Sequence, residues 1–274
     1  MTSLNLGAPT AAVASPVDPM APARHAIGFM TMLAVPTLIA YGLDDRLLHG
    51  ISVWLKPLKF EVSLSLHFVT LIWLARLLST DARQSRLLRR SMLAAATMAV
   101  LEISYIALQA ARGRASHFNF ETPLEQALYS LMGVGATVIV AGSFVFGCLI
   151  WRSRPAVGDG QSGLRNGAVL GLILGSLATL AIGGYLGSQS GHWIGGPSTD
   201  ASGLPLTGWS TTGGDLRPGH FLATHMMQVM PVFGLIADRL RLRSSAVWIA
   251  AALYLTLVAA ITAQALSGAP LLAR

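Results

Sequence analysis

Charge is what this chain has least of. Only 11% of its 274 residues are Asp, Glu, Lys or Arg, where a soluble domain carries roughly 25%. More than half of the residues, 53%, are hydrophobic. So little charge cannot cover a water-exposed surface, which excludes an ordinary globular protein and points to an integral membrane protein. Cysteine is almost missing as well. Cys148 stands alone within an apolar run, so an intrachain disulfide and a cysteine-held zinc or iron–sulfur site are excluded, and without CxxCH so is covalent c-type haem. No GxSxG, Walker A or GxGxxG is present. The GWSTTGGD run follows a membrane segment and not a strand, which argues against a phosphate loop. The net charge of +7 is no nucleic-acid footprint, because the basic residues fall in short clusters between apolar runs, the pattern by which membrane topology is encoded.

What the chain does have is long apolar runs. A spanning helix needs about 20 residues, and seven segments approach that: Ala26–Leu43, Leu58–Leu78, Ser91–Ala111, Leu124–Trp151, Gly167–Gly187, Gly219–Ala237 and Ser245–Leu266. The expected fold is an all-α membrane protein with seven transmembrane helices over residues 25–268. Residues 1–24, rich in Ala and Pro and without the apolar core of a signal peptide, are expected to be a disordered cytoplasmic tail, and 269–274 a C-terminal tail. Asp44–Pro57, which contains Trp54 and Lys56, reads as a short amphipathic segment at the membrane interface. Arginines fill the connections after the second, fourth and sixth segments: Arg76, Arg83, Arg86, Arg89 and Arg90, then Arg152, Arg154 and Arg165, then Arg239, Arg241 and Arg243. By the positive-inside rule these face the cytoplasm. The N-terminus is then cytoplasmic, the C-terminus periplasmic, and the compartment a bacterial inner membrane. A long Gly-rich outer loop between the fifth and sixth helices is expected to fold as a lid, since loops of that length are uncommon unless functional.

The polar residues concentrate on the second, third and sixth segments and on the outer loops. Glu61 and His67 lie in the second segment, with Lys56 and Lys59 at its start. Glu102, Tyr105 and Gln109 are spaced to share one face of the third. His117 and Asn119 follow it, and Asp215, Arg217, His220, His225 and Gln228 crowd into the start of the sixth. By helical rise, His67, Glu102 and His225 fall at similar depth, so three helices offer ionisable groups to one layer. An intramembrane charge costs about 2.5–3.5 kcal/mol on insertion scales, so such groups should face inward and find each other or water. His49 and His192 read as surface or interfacial residues, and Met226, Met227 and Met230 as packing residues. Pro231 is expected to kink the sixth helix.

WLKPLKFEVSLSLHFVTLIWL, QAARGRASHFN and GLPLTGWSTTGGDLRPGHFLATHMMQVMP resemble the signature stretches of a family of uncharacterised bacterial polytopic inner-membrane proteins. That resemblance implies a multi-helix membrane protein and carries no activity. Seven helices with buried histidines and a carboxylate are also similar to the zinc-dependent membrane hydrolases of the ceramidase and adiponectin-receptor type. Those have an HxxxH helix near the C-terminus, and here His220 and His225 are one residue further apart, with another helix following.

These residues support one leading functional reading and two others. The first is a membrane-embedded metal- or haem-dependent enzyme acting on a lipophilic or periplasmic substrate. Glu61, Glu102, Asp215 and Arg217 are its candidate catalytic residues, Glu61 or Glu102 serving as acid/base. His67, Glu102, His220 and His225 are candidate ligands of zinc, iron or copper, and His67 with His225 candidate axial ligands of haem b. His117, Asn119, Tyr105, Gln109, Gln228, Lys56 and Lys59 would complete the pocket. The second is a proton- or ion-coupled transporter using the same residues, Glu102 as carrier and His225 as relay. The third is an accessory subunit of a larger membrane complex, its polar groups only joining helices. The expected partners are the lipid bilayer, a lipophilic small molecule, and a membrane-complex partner or further copies of the chain, with no nucleic acid.

Overall fold

The computed structural model describes residues 18–153 and 162–273. Seven of its helices are long and apolar enough to cross a membrane. They are α1 (Ala21–Leu43), α2 (Leu55–Leu74), α4 (Arg86–Ala111), α5 (Pro123–Arg152), α6 (Ser162–Gly187), α7 (Arg217–Arg239) and α8 (Ser245–Leu266), with a short α3 (Thr80–Gln84) between α2 and α4. Rows of Leu, Val and Ile on their outer faces, such as Val62, Leu66 and Val69 on α2 or Ile249, Leu253 and Leu257 on α8, are exposed. Exposed apolar surface of that extent requires lipid, not water, as its solvent. The chain is a multi-pass membrane protein.

Several helices begin earlier than hydropathy predicts, at Ala21, Leu55, Arg86, Ser162 and Arg217. Hydropathy registers immersion in lipid, whereas the helix begins where its free N–H groups are satisfied. The Ser85 hydroxyl accepts from the N–H of Leu88 at 3.2 Å and so admits Arg86, Arg89 and Arg90 into α4. Thr122 does the same for Glu125 at 3.2 Å, with Pro123 in the first turn of α5. The Asp238 carboxylate, near the end of α7, caps a different helix, accepting from the N–H groups of Gly163 and Leu164 at 2.7 Å each. The expected tail over 1–24 is shortened from its C-terminal side, because Asp18 accepts from the N–H of Met20 and α1 is helical from Ala21. Residues 1–17 lie outside the described residues, as does Arg154. The expected interfacial segment Asp44–Pro57 is a small hairpin, β1 (Leu47–Leu48) against β2 (Ile51–Ser52), after which α2 takes in Lys56 and Pro57.

Most of the core is one cluster built from α1, α2, α4, α5 and α6, including Met30, Phe68, Met92, Ile103 and Phe146; a second joins α6, α7 and α8 around Met226, Met230 and Val247. The tightest seam is α6 on α7. Gly163, Gly167, Gly171 and Gly175 recur every fourth residue along α6. A Cβ on Gly163, Gly167 or Gly171 would lie 2.6, 2.2 or 2.8 Å from the carbonyl oxygens of Gly234, Met230 and Met226 on α7. The two backbones therefore touch, as small-xxx-small faces allow in membranes. In contrast, α2 packs on α1 and α4, while α7 packs on α6 and α8. His225 of α7 comes within electrostatic range of His67 of α2.

Candidate functional site

The loop joining α6 to α7 is folded by an ionic cluster. Its β3 (Trp193–Ile194) pairs with β4 (Gly214–Asp215), and Arg217, in the first turn of α7, binds two carboxylates together. It donates to Asp215 at 2.6 Å and to Asp200 at 2.8 Å. Asp200 also accepts from the Trp193 indole at 3.2 Å and faces His192 Nε2 at 3.2 Å. Burial raises the Asp200 carboxyl's pKa, but its hydrogen bonds to His192 and Arg217 outweigh this and hold it at about 2. Burial lowers the pKa of His192, only partly offset by Asp200. Asp200 and His192 are 6% and 7% exposed, so His192 is no surface histidine. The loop also grips the β1–β2 hairpin, where the N–H of Asp200 donates to the carbonyl of His49 at 2.8 Å.

Beneath this cluster stand two lysines of α2 and a group of aromatic side chains. Lys59 Nζ reaches up to donate to the Thr207 carbonyl at 3.2 Å. Lys56, one turn earlier, has no hydrogen-bond or ion-pair partner among the described residues and lies within electrostatic range of Lys59, Arg217 and Asp200. His117 packs its ring against Phe60 at 5.6 Å and Tyr129 at 5.9 Å, with Ser116 Oγ 3.1 Å from its Nδ1. Burial first, then the charge of Lys56 and the neighbouring His220, puts the His117 pKa well below the usual imidazole range. Lys56, His117 and His220 lie deep in the bundle and still keep some accessible surface.

Further in, α7 presents His220 and His225, which lie within electrostatic range of each other, and His225 is in the same relation to His67 of α2. The His225 ring packs against Phe221 at 4.1 Å, tilted by 54°, and sits beside Gln228. His67 is buried, its Nε2 3.1 Å from Ser143 Oγ of α5. Glu61 and Glu102 are also buried, at 2% and 7% exposure. One oxygen of Glu61 accepts from Thr37 Oγ1 of α1 at 2.8 Å. Glu102 fits against Gly135 of α5, where a Cβ would come within 2.7 Å of its Oε1. Glu61 Oε2, Glu102 Oε1, His220 Nδ1 and Gln228 Oε1 are buried without a hydrogen-bond partner among the described residues.

Other expected pocket residues are engaged elsewhere. Tyr105 and Gln109 donate to Glu125 Oε2 at 3.0 and 2.6 Å, and Arg112 and Arg114 flank the same carboxylate at 3.6 and 3.4 Å. They form a separate ionic knot, so the stripe Glu102–Tyr105–Gln109 divides between two environments. Asn119 braces its own turn, donating to the Ala115 carbonyl and accepting from the N–H of Glu121. Asp215 and Arg217 are saturated by each other and by Asp200. No three His, Cys, Asp or Glu side chains gather closely enough among the described residues to hold a metal ion, so His67, Glu102, His220 and His225 do not assemble as a ligand set. Sequence reasoning missed Asp200, Glu125 and Ser143. The first two are acids in a chain poor in acid, which was a usable signal; nothing in the sequence marks Ser143 out from other small residues in apolar helices. No protein-family model matches this chain, and no curated protein or solved structure matches it either.

Proposed function

We propose that this protein is a proton-coupled carrier of the bacterial inner membrane, with a cytoplasmic N-terminus, a periplasmic C-terminus and a cleft opening toward the periplasm. Its substrate site lies among Lys56, His117, His220 and His225, and Glu102, with Glu61, takes up and releases the coupled proton. One observation carries this reading: the buried, unpartnered polar atoms belong to Glu61, Glu102, His220 and Gln228, all on the second, third and sixth spans. Polar groups in a membrane interior are ordinarily paired, because an unpaired one costs free energy. Groups left open there are free to exchange protons or meet a ligand, and intramembrane carboxyls without a cation beside them suit a proton relay. The enzyme with a side-chain-held metal has less support, since zinc, iron or copper bound by the protein alone needs three or more convergent donors and no such group of His, Cys, Asp or Glu gathers among the described residues.

The test is made on full-length protein in proteoliposomes with a trapped pH indicator, challenged with concentration jumps of organic solutes. Wild type should couple solute entry to proton movement. Glu102→Gln should retain solute binding and lose proton movement. Equal proton flux in the variant and wild type would overturn the proposal.

A further inference from the structure

The ionic pairing around the cleft is uneven in a way that identifies its ligand. At this end of the molecule, Asp44 pairs with Arg46, Glu121 with Arg114, Glu125 with Arg112 and Arg114, and Asp200 and Asp215 share Arg217. Exposed Asp45 makes no ion pair among the described residues, and it is the remaining carboxylate of these loops. That pairing leaves Lys56 and Lys59 without a carboxylate within ion-pair distance among the described residues. Three cations, Lys56, Lys59 and Arg217, therefore face only Asp200 and Asp215. Residues three apart on a helix are neighbours, and like charges there repel. The groups packed against the lysines from other elements relieve nothing. The imidazole of His117, within electrostatic range of Lys56 and packed on Tyr129 and on Phe60 of α2 itself, supplies no negative charge. Lys59 has only a backbone carbonyl, that of Thr207. The Nδ1 atom of His220, against Gly183 of α6, is buried and also without a hydrogen-bond partner among the described residues.

We infer that the ligand of this cleft is an organic anion, its carboxylate or phosphate group held between Lys56 and Lys59 and its apolar body lying along the Phe60–His117 wall. An anion there would supply the missing counter-charge, and a desolvated cation–anion pair with hydrogen bonds is stronger than either group's contact with neutral partners. An aromatic wall beside a few charged groups is the usual composition of a small-molecule site. This inference rests on reading the cleft as a binding site, and its test does not depend on proton coupling.

Full-length protein in an uncharged detergent is titrated by calorimetry with decanoate, with decanol as its neutral counterpart, and with inorganic phosphate. Phosphatidylglycerol and phosphatidylcholine in mixed micelles form a second arm. Decanoate should bind saturably and about tenfold or more tighter than decanol. Lys56→Gln and Lys59→Gln should each remove that preference, while Lys56→Arg keeps it, which separates lost charge from lost fold. Saturable binding of decanoate or phosphate that phosphatidylglycerol leaves untouched assigns a soluble anion. Binding of phosphatidylglycerol over phosphatidylcholine, abolished by Lys56→Gln, assigns a lipid headgroup. The inference falls if decanol binds as well as decanoate, or if Lys56→Gln binds every one of these anions as wild type does. Loss of proton flux alone, with anion binding intact in Glu102→Gln, would bear on the carrier reading and not on this one.

Discussion

Arg217 holds two carboxylates at once, and its pairing with Asp200 sets how the adjoining loop responds to acid. Asp200 has its pKa lowered from 3.8 to about 2. The stability it contributes is present above its ordinary value and is lost as pH falls toward 2. His192 and His117 act earlier and in the same direction. Each has a pKa below the ordinary 6.5, chiefly from burial, so the unfolded chain binds protons that the folded chain refuses. Stability is then full above 6.5 and declines as pH drops below it. Thermal unfolding in detergent should show a midpoint that falls steadily between neutrality and pH about 5, with a smaller slope in His117→Gln. Trp193, bonded to Asp200, should change its fluorescence over the lower part of the acid range. A midpoint independent of pH across this interval would contradict the burial of both imidazoles.

At the scale of elements, the glycine ladder on α6 decides where α7 sits. Without side chains at Gly163, Gly167 and Gly171, the backbone of α7 lies directly on α6. That contact fixes which face of α7 remains for Phe221 and His225, while His220 lies against Gly183 of α6. Gly167→Ala would place a methyl 2.2 Å from the Met230 carbonyl oxygen, and a backbone atom cannot turn aside as a side chain can. The helices must separate, at a cost of about 1–3 kcal/mol for overpacking. Gly184→Ala is the matched control, since a Cβ there meets nothing within 4 Å, and replacing a helical glycine in open space should be neutral or stabilise by about 0.5–1 kcal/mol. The pair can be compared by thermal unfolding in one detergent. Equal midpoints would mean that α6 and α7 are not in backbone contact.

For the molecule as a whole, the two ends differ in chemistry. One end carries Arg83, Arg86, Arg89, Arg90, Arg239, Arg241 and Arg243 with few acids, and its connections are tied by contacts such as the N–H of Ser79 to Ser153 Oγ at 2.9 Å. The other carries the hairpin and the ionic clusters, and the proposed cleft with them. The proposed orientation, with the arginine end toward the cytoplasm, rests on the positive-inside rule. Because Cys148 is the one cysteine, Cys148→Ser provides a clean background for single cysteines at Leu206, in the α6–α7 loop, and at Gln84, in α3. A membrane-impermeant maleimide applied to intact cells should label Leu206→Cys, and Gln84→Cys only after permeabilisation. The opposite pattern would reverse the insertion and place the cleft on the cytoplasmic side.

Sequence by itself determined the seven spans, because immersion in lipid depends on local composition over about 20 residues and the arginine clusters interrupt it clearly. It also singled out Glu61, Glu102, His220 and Gln228, since a polar residue in an apolar run needs a reason wherever the helices pack. Which of these groups would be left open was decided only by tertiary structure. Glu125, distant in sequence, captures Tyr105 and Gln109, Ser143 meets His67 across a helix interface, and Asp200 shares Arg217 with Asp215. Pairing of this kind depends on how helices rotate and approach one another. The four-residue spacing of the α6 glycines is legible in the sequence, but that α7 is the backbone laid against them is decided only by the fold.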